Sequence, residues 1–286
     1  MKRAVFRISQ NKYFQMIVQM SLSIPPLWLG TYKIPNETVT DLVLHAFEIG
    51  YRHIDTATLY ENEWGIGKAI AQKTLPRDQY RLTTKVRINQ YSKQNCRASI
   101  EESLRNLQTD YIDLVLLHRP NTRFGHHEAL DAMMQLKQEN KIREIGVSNF
   151  PILQLQDAIH HTNNQIFTNQ IEMHPLFDPV NIRTFCQENK VLVSAYSPFA
   201  HGRIFDNVIL AQIAEKHNAT ISQVALAWTL FVSQWIVLPK ASSPKRLQEN
   251  LDALQLTLDA EDFVLINTLP KDQRRCNPTF HPLRDE

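Results

Sequence analysis

Four side chains of complementary chemistry, Asp55, Tyr60, Lys85 and His118, are spread through the first half of the chain. A phenol with an ordinary pKa of about 10 is a poor acid near neutrality, but a neighbouring ammonium stabilises its phenolate and makes the proton easier to give. Lys85 can supply that charge, Asp55 can hold Lys85 protonated and oriented, and His118 can hydrogen-bond a substrate oxygen from the other side. Such a set suits the protonation of an oxygen on which negative charge is developing. Carbonyl reduction is one reaction of this kind, and it needs a separate source of hydride. Taken singly, plainer readings stand: Asp55 with Lys85 as a structural ion pair, His118 as a satisfied core histidine, Tyr60 as a loop aromatic. The four together, at or beside the ends of successive strands, point to chemistry.

Short aliphatic and β-branched runs alternate with longer amphipathic stretches from residue 50 onward, as expected of strand–helix units around a parallel sheet. The spacing predicts strands over 52–57, 80–86, 113–118, 143–148, 166–173, 191–197 and 235–240, and helices over 62–73, 94–108, 126–140, 152–162 and 222–233 among others. Strand-end markers at Asp55, Lys85, His118, Gly146, Ile171 and Tyr196 differ by 30, 33, 28, 25 and 25 residues, one strand–helix unit per step. A first strand within "IPPLWLGTY" (24–32) completes eight units, the number that closes into a (β/α)₈ TIM barrel of one domain. The competing open, doubly wound sheet usually carries a glycine-rich turn after its first strand, and this chain has seven glycines and no GxGxxG. In a barrel, active sites are built where the strands end, which is where the four groups fall.

At 286 residues and 43% hydrophobic content the chain can bury a large core. Its 31 Lys and Arg against 29 Asp and Glu leave a formal charge of +2, which argues against nucleic acid as a partner. Cys96, Cys186 and Cys276 lie far apart without CxxC spacing, as expected in the reducing cytoplasm. No stretch of 18 apolar residues suggests a membrane span, and monomer is the default expectation. Residues 1–19 read as a loose extension or an upstream start before Met20, residues 20–270 as the barrel, and 271–286 as a tail near the pocket mouth, where Phe280 or His281 would touch substrate. Of the eleven histidines, His126–His127 and His160–His161 are adjacent pairs expected to diverge on a helix, and no HxH or HExxH is present, so no metal site is expected.

From about residue 23 to 270 the chain resembles the aldo-keto reductases, through "GYRHIDTATLYENE" (50–63), "TTK" (83–85), "LLHRP" (116–120), "REIGVSNF" (143–150), "TNQIEMHP" (168–175), "AYSP" (195–198) and "LPKASSPKRLQEN" (238–250), all in family order. That resemblance implies Tyr60 as general acid, Asp55 and Lys85 as the groups that tune it, and His118 as the residue that orients the carbonyl. It implies NADPH as cofactor. Ser148, Asn149 and Gln170 would grip the nicotinamide carboxamide and Tyr196 would stack on the ring. Thr31 and Ser197 join the cofactor set. Lys240, Ser242 and Arg246 would clamp the 2′-phosphate, with Glu249 and Asn250 at the adenine.

The stretches "AEKHNATISQVALAW" (214–228), "LQTDYIDLVLLH" and "LTLDAEDF" (256–263) are similar to the bacterial 2,5-diketo-D-gluconate and methylglyoxal reductases, which implies small dicarbonyls or keto-sugar acids as substrates. Four positions depart from the family pattern. Ala241 replaces a serine beside the phosphate clamp, Arg87 and Arg119 replace tryptophans near the pocket, and Trp28 replaces a glycine in the first-strand turn. The two arginines, with Tyr32, are expected at the substrate pocket, either as a cationic wall for acidic substrates or paired with carboxylates. Trp28 is expected to narrow access for the cofactor. The alternative function is a non-catalytic or weakly active NADP(H)-binding barrel, as in ion-channel β subunits that resemble this family, against which the intact four-residue set argues.

Overall fold

A computed structural model describes residues 26–121, 125–234 and 236–276. The expected extension over 1–19, and Phe280 and His281 of the tail, lie outside these residues. Eight strands follow one another in order, each parallel to the next: β1 (Leu29–Gly30), β2 (His53–Asp55), β3 (Arg81–Val86), β4 (Ile112–Leu117), β5 (Ile142–Ser148), β6 (Ile166–Glu172), β7 (Leu192–Tyr196) and β8 (Ile236–Leu238). Parallel bridges Leu27 to Val237 and Gly30 to Lys240 join the first strand to the last, so the sheet curls into a barrel. The expected (β/α)₈ architecture is the observed one.

The helices are α1 (Asn36–Ile49), α2 (Glu63–Ala71), α3 (Lys93–Asn106), α4 (His127–Gln138), α5 (Ile152–His161), α6 (Val180–Glu188), α7 (Val208–Lys216), α8 (Ile221–Ser233), α9 (Pro244–Asp252) and α10 (Ala260–Asn267). Local chemistry sets several of their starts. Ser92 caps α3 by accepting from Asn95 N, Thr220 and Gln223 form a reciprocal capping box on α8, and Ser243 followed by Pro244 opens α9. Gly50, at φ 113°, ends α1 in the left-handed conformation that a side chain would strain.

Because side chains alternate along a strand, the barrel has two cores. Val115 and Leu117 of β4 face the helices and join the main core, while Leu114 and Leu116 face the lumen. There they pack with Leu192, Ile236, Leu238 and Trp28. Trp28 is 5% exposed and its ring lies flat on His53, with centroids 3.4 Å apart and planes 13° off parallel. The register Leu29 to Ile54 and Gly30 to Asp55 puts Trp28 level with His53, one lumen layer before Asp55. The expectation that Trp28 narrows cofactor access is therefore corrected: its indole fills the barrel from below and does not project into the mouth. No helix among the described residues is long and apolar enough to cross a membrane.

Candidate active site

Asp55 and Lys85 emerge into the lumen near the ends of β2 and β3, and both are almost wholly buried, at 4% and 1% exposure. Two charges in so dry a place must pair. Lys85 Nζ donates to Asp55 Oδ1 at 2.5 Å and to the Thr56 carbonyl at 2.9 Å, and Gln170 Nε2 from β6 donates to Asp55 Oδ2 at 2.8 Å. Tyr60 follows on a short 3₁₀ turn, Thr58–Tyr60, whose first hydroxyl donates to the Lys85 carbonyl at 3.0 Å. The ammonium lies 5.1 Å from the centre of the Tyr60 ring, and the His118 ring stands edge-on to Tyr60, with centroids 5.7 Å apart at 75°. The structure brings together all four groups singled out by sequence.

The electrostatics sharpen their roles. Burial works to strip Lys85 of its proton, yet Asp55 and Tyr60 outweigh it and hold the amine above its ordinary range. Burial pushes the Tyr60 phenol above 10, and the opposing pull of Lys85 only partly offsets it. The expectation that Lys85 makes the proton easier to give holds for the direction of its own influence, while desolvation sets the net result. Tyr60 stays a protonated donor across the neutral range. Burial, then the nearby Lys85, Arg119 and Arg87 charges, depress His118 well below 6.5, so its imidazole is neutral and carries one N–H.

Beside this set, Asn149 at the end of β5 forms a bonded cluster. Tyr196 donates its hydroxyl to Asn149 Oδ1 at 2.8 Å, Asn149 Nδ2 donates to Ser148 Oγ at 2.9 Å, and Ser148 donates to the Gln170 carbonyl at 2.9 Å. Asn149 and Ser197 adopt left-handed backbone, φ 62° and 55°, a region that asparagine tolerates better than serine. Ser197 Oγ lies 3.7 Å from Cys276 Sγ. Thr31 donates its hydroxyl to the Asp55 carbonyl at 3.0 Å, and the exposed Tyr32 ring reaches to 5.1 Å from that of Tyr60. Ser148, Asn149 and Gln170, expected at the cofactor carboxamide, therefore lie beside the four-residue set, with the Gln170 amide N–H committed to Asp55.

On the β1–β8 side of the mouth lies a group of cations. Burial first, and then repulsion from Arg246 and Lys33, lowers the Lys240 ammonium below its usual range. Ser242 is exposed on the same segment, and Ala241 is buried, so the hydroxyl missing from that position would not have faced solvent. Glu249 accepts from the Thr220 hydroxyl at 2.8 Å, and Asn250 is 3% exposed, with its side chain against the Tyr51 hydroxyl.

The two arginines separate. Arg87 donates to the Thr58 carbonyl at 2.6 Å and to Glu61 at 3.1 Å, so it is paired and braces the Tyr60 turn. Of the two alternatives expected for it, a cationic wall or pairing with a carboxylate, Arg87 takes the second. Arg119 keeps a buried Nη1 without a partner among the described residues and acts electrostatically on both His118 and Tyr196.

Sequence reasoning missed three supporting residues. Lys33, in a left-handed turn at φ 58°, belongs to the cation group. Asn62 is fully buried, donating to the carbonyls of Thr31 and Ile34 and accepting from Thr56, and so ties the loop after β1 to the loop after β2. Tyr91 donates its hydroxyl to the Arg119 carbonyl at 2.6 Å and so fixes the backbone just past His118. The polar cluster of Asn62 within "LYENE" was the only signal available, and it does not distinguish a strut from a surface loop.

The model of the Aldo/keto reductase family matches residues 26–270. The chain is 38% identical over 260 residues to methylglyoxal reductase DkgB of Escherichia coli O157:H7, covering 90% of this chain and 97% of that one. It is 35% identical to glyoxal reductase of Bacillus subtilis, covering 88% and 91%. A solved structure provisionally named 2,5-diketo-D-gluconic acid reductase B superposes with a TM-score of 0.86 at 34% identity, covering 90% of this chain and 92% of that one.

Proposed function

The chain belongs to the aldo/keto reductase family and is an oxidoreductase acting on carbonyl compounds, and on that footing we propose that it reduces small dicarbonyls or keto-sugar acids with NADPH, Tyr60 being the proton donor. One observation carries the reading: a buried Asp55–Lys85 pair sits under the Tyr60 ring while a neutral His118 faces that ring from the side. The residues present fit the cofactor. Amide and hydroxyl groups of Ser148, Asn149 and Gln170 suit its carboxamide, and Tyr196 offers a ring at its edge. Lys33, Lys240 and Arg246 form ion pairs with no carboxylate among the described residues, and a 2′-phosphate would relieve their mutual repulsion. Ser242, Thr31 and Ser197 supply further hydroxyls along the path, and Glu249 and Asn250 border the adenine end.

When bound, the cofactor supplies the hydride. The chain does the rest: His118 N–H and Tyr60 O–H hold the carbonyl oxygen from two sides, and the Tyr60 proton passes to that oxygen as it becomes an alkoxide. Lys85 stabilises the phenolate left behind, and Asp55, anchored by Gln170, keeps Lys85 charged. Arg119 beside His118, its buried Nη1 without a partner among the described residues, favours an anionic or polyhydroxylated substrate, with Tyr32 at the entrance. The same reading makes the protein a cytoplasmic monomer with its three cysteines as thiols.

The test is NADPH oxidation by the purified protein with methylglyoxal and with 2,5-diketo-D-gluconate, repeated with NADH and with Tyr60→Phe. Loss of general acid catalysis should lower kcat by about 10²–10⁴-fold, with cofactor binding retained. Turnover undiminished in Tyr60→Phe, or none in the wild type with bound NADPH, would overturn the reading.

A further inference from the structure

Away from the barrel mouth, three imidazoles and two carboxylates meet between α4 and α5. His126 and His127 both direct Nε2 at one oxygen, Asp157 Oδ2, at 2.9 and 2.7 Å. Consecutive residues within a helix would send their rings apart. His126, however, is the residue that caps α4, with φ −128° and ψ −2°, and its side chain leaves the backbone in a direction that lets the two rings converge. The expected divergence of this pair is corrected by that one non-helical residue. The rings stand edge to face at 87°, and His161 from the end of α5 lies flat on His127, 4.0 Å away and 5° from parallel, with its own Nε2 at 2.8 Å from Asp131.

His126 is the informative member. Only 5% exposed and set edge-on against Phe150, it aims a buried Nε2 at Asp157 at ion-pair distance but without the angle of a hydrogen bond. Off that angle, Asp157 satisfies this buried nitrogen only weakly. The donor atoms of His126, His127 and Asp157 all lie within 4.8 Å of one another, close enough for small side-chain movements to reach the ~2.0–2.2 Å of a zinc coordination shell. His127 and Asp157, each half exposed, leave a solvent side where water can complete a tetrahedron.

We propose that His126, His127 and Asp157 form a surface binding site for a divalent transition cation of the zinc type, joining the start of α4 to the middle of α5. Two imidazoles with one carboxylate select zinc, nickel or copper over magnesium or calcium, which prefer oxygen. Glu128, in the first turn of α4, offsets the partial positive charge of that helix's N-terminus. A second cluster, His217 with Asp259 and Asp262, shows the alternative: Lys216 Nζ sits 2.8 Å from both carboxylates, so its cation is built in. The zinc-type site fastens two outer helices and touches none of the groups that face the carbonyl.

The experiment uses the full chain, freed of metal by a chelator, in a Cys276→Ser background, because that thiol lies 3.3 Å from His201 and offers zinc a competing pair. Zn²⁺ alone is titrated against a chromophoric chelator, Mg²⁺ is the control, and Tm is followed in parallel. The expected result is one equivalent of Zn²⁺ with a raised Tm, weakened at least about tenfold by His127→Gln and by Asp157→Asn, with carbonyl reduction unchanged in both. Both substitutions fall on half-exposed positions that the folded chain can tolerate. No saturable equivalent, the same affinity in both variants, or equal binding of Mg²⁺ would overturn the proposal.

Discussion

Two adjacent layers of the barrel lumen, built by the same strands, treat polar groups in opposite ways. In the layer at Trp28 and His53 an indole covers an imidazole, His53 Nε2 meets Thr83 Oγ1 at 2.7 Å, and His53 Nδ1 is buried without a partner. Two residues further along β2 and β3, Asp55 and Lys85 are charged, paired and braced by Gln170. The first layer excludes water by filling space. The second is dry as well, and a charge pair in a low-dielectric site acts on its neighbours far more strongly than it would in water.

The comparison breaks most severely if the pair is split. Lys85→Met leaves Asp55 buried without its cation and should cost about 3–5 kcal/mol of stability in chemical denaturation as well as the activity. Asp55→Asn added to Lys85→Met should recover much of that stability and none of the turnover, which separates the two roles of the layer. Emptying the other layer gives the converse. Trp28→Ala should cost about 3–5 kcal/mol by cavity formation, while kcat with the surviving protein stays near wild type. A large fall in kcat would show that the plug also sets the dielectric of the layer above.

The smallest effect is in pH. Burial, then Arg81, Lys85 and Arg77, hold His53 well below 6.5, and His118 is depressed by burial and neighbouring charges. The unfolded chain protonates both near pH 6.5 and the folded chain does not, so the unfolded state binds more protons and stability rises with pH there. Stability is full above about pH 6.5 and should decline on acidification by up to about 1.4 kcal/mol per pH unit for each histidine. Denaturation midpoints between pH 7.5 and 5.5 measure this, and His53→Gln should remove its share of the slope.

Much of this was legible in the residues. The 25 to 33 residue spacing of the strand ends follows from the length of one strand–helix unit, so the barrel and the convergence of Asp55, Lys85 and His118 could be read directly. What escaped depends on single backbone conformations or on which face a side chain takes. Trp28 faces the lumen because it is level with His53, a register that no local pattern reveals. Lys33 reaches the cation group from a left-handed turn, and His126 turns toward His127 because it caps a helix in place of entering it. Arg87 found Glu61 in a loop whose shape is set by the 3₁₀ turn.

The barrel closes on its shortest strand. At β1 the ring is completed by Trp28 N to the Val237 carbonyl, Gly30 N to the Pro239 carbonyl and Val237 N to the Pro26 carbonyl, a shorter seam than the four-residue register of β3 with β4. Local opening of a segment held by so light a clasp needs less free energy than unfolding of the whole barrel. Lys33 lies beyond one side of that clasp and Lys240 on the other, so any anion that bridges them also latches the hoop.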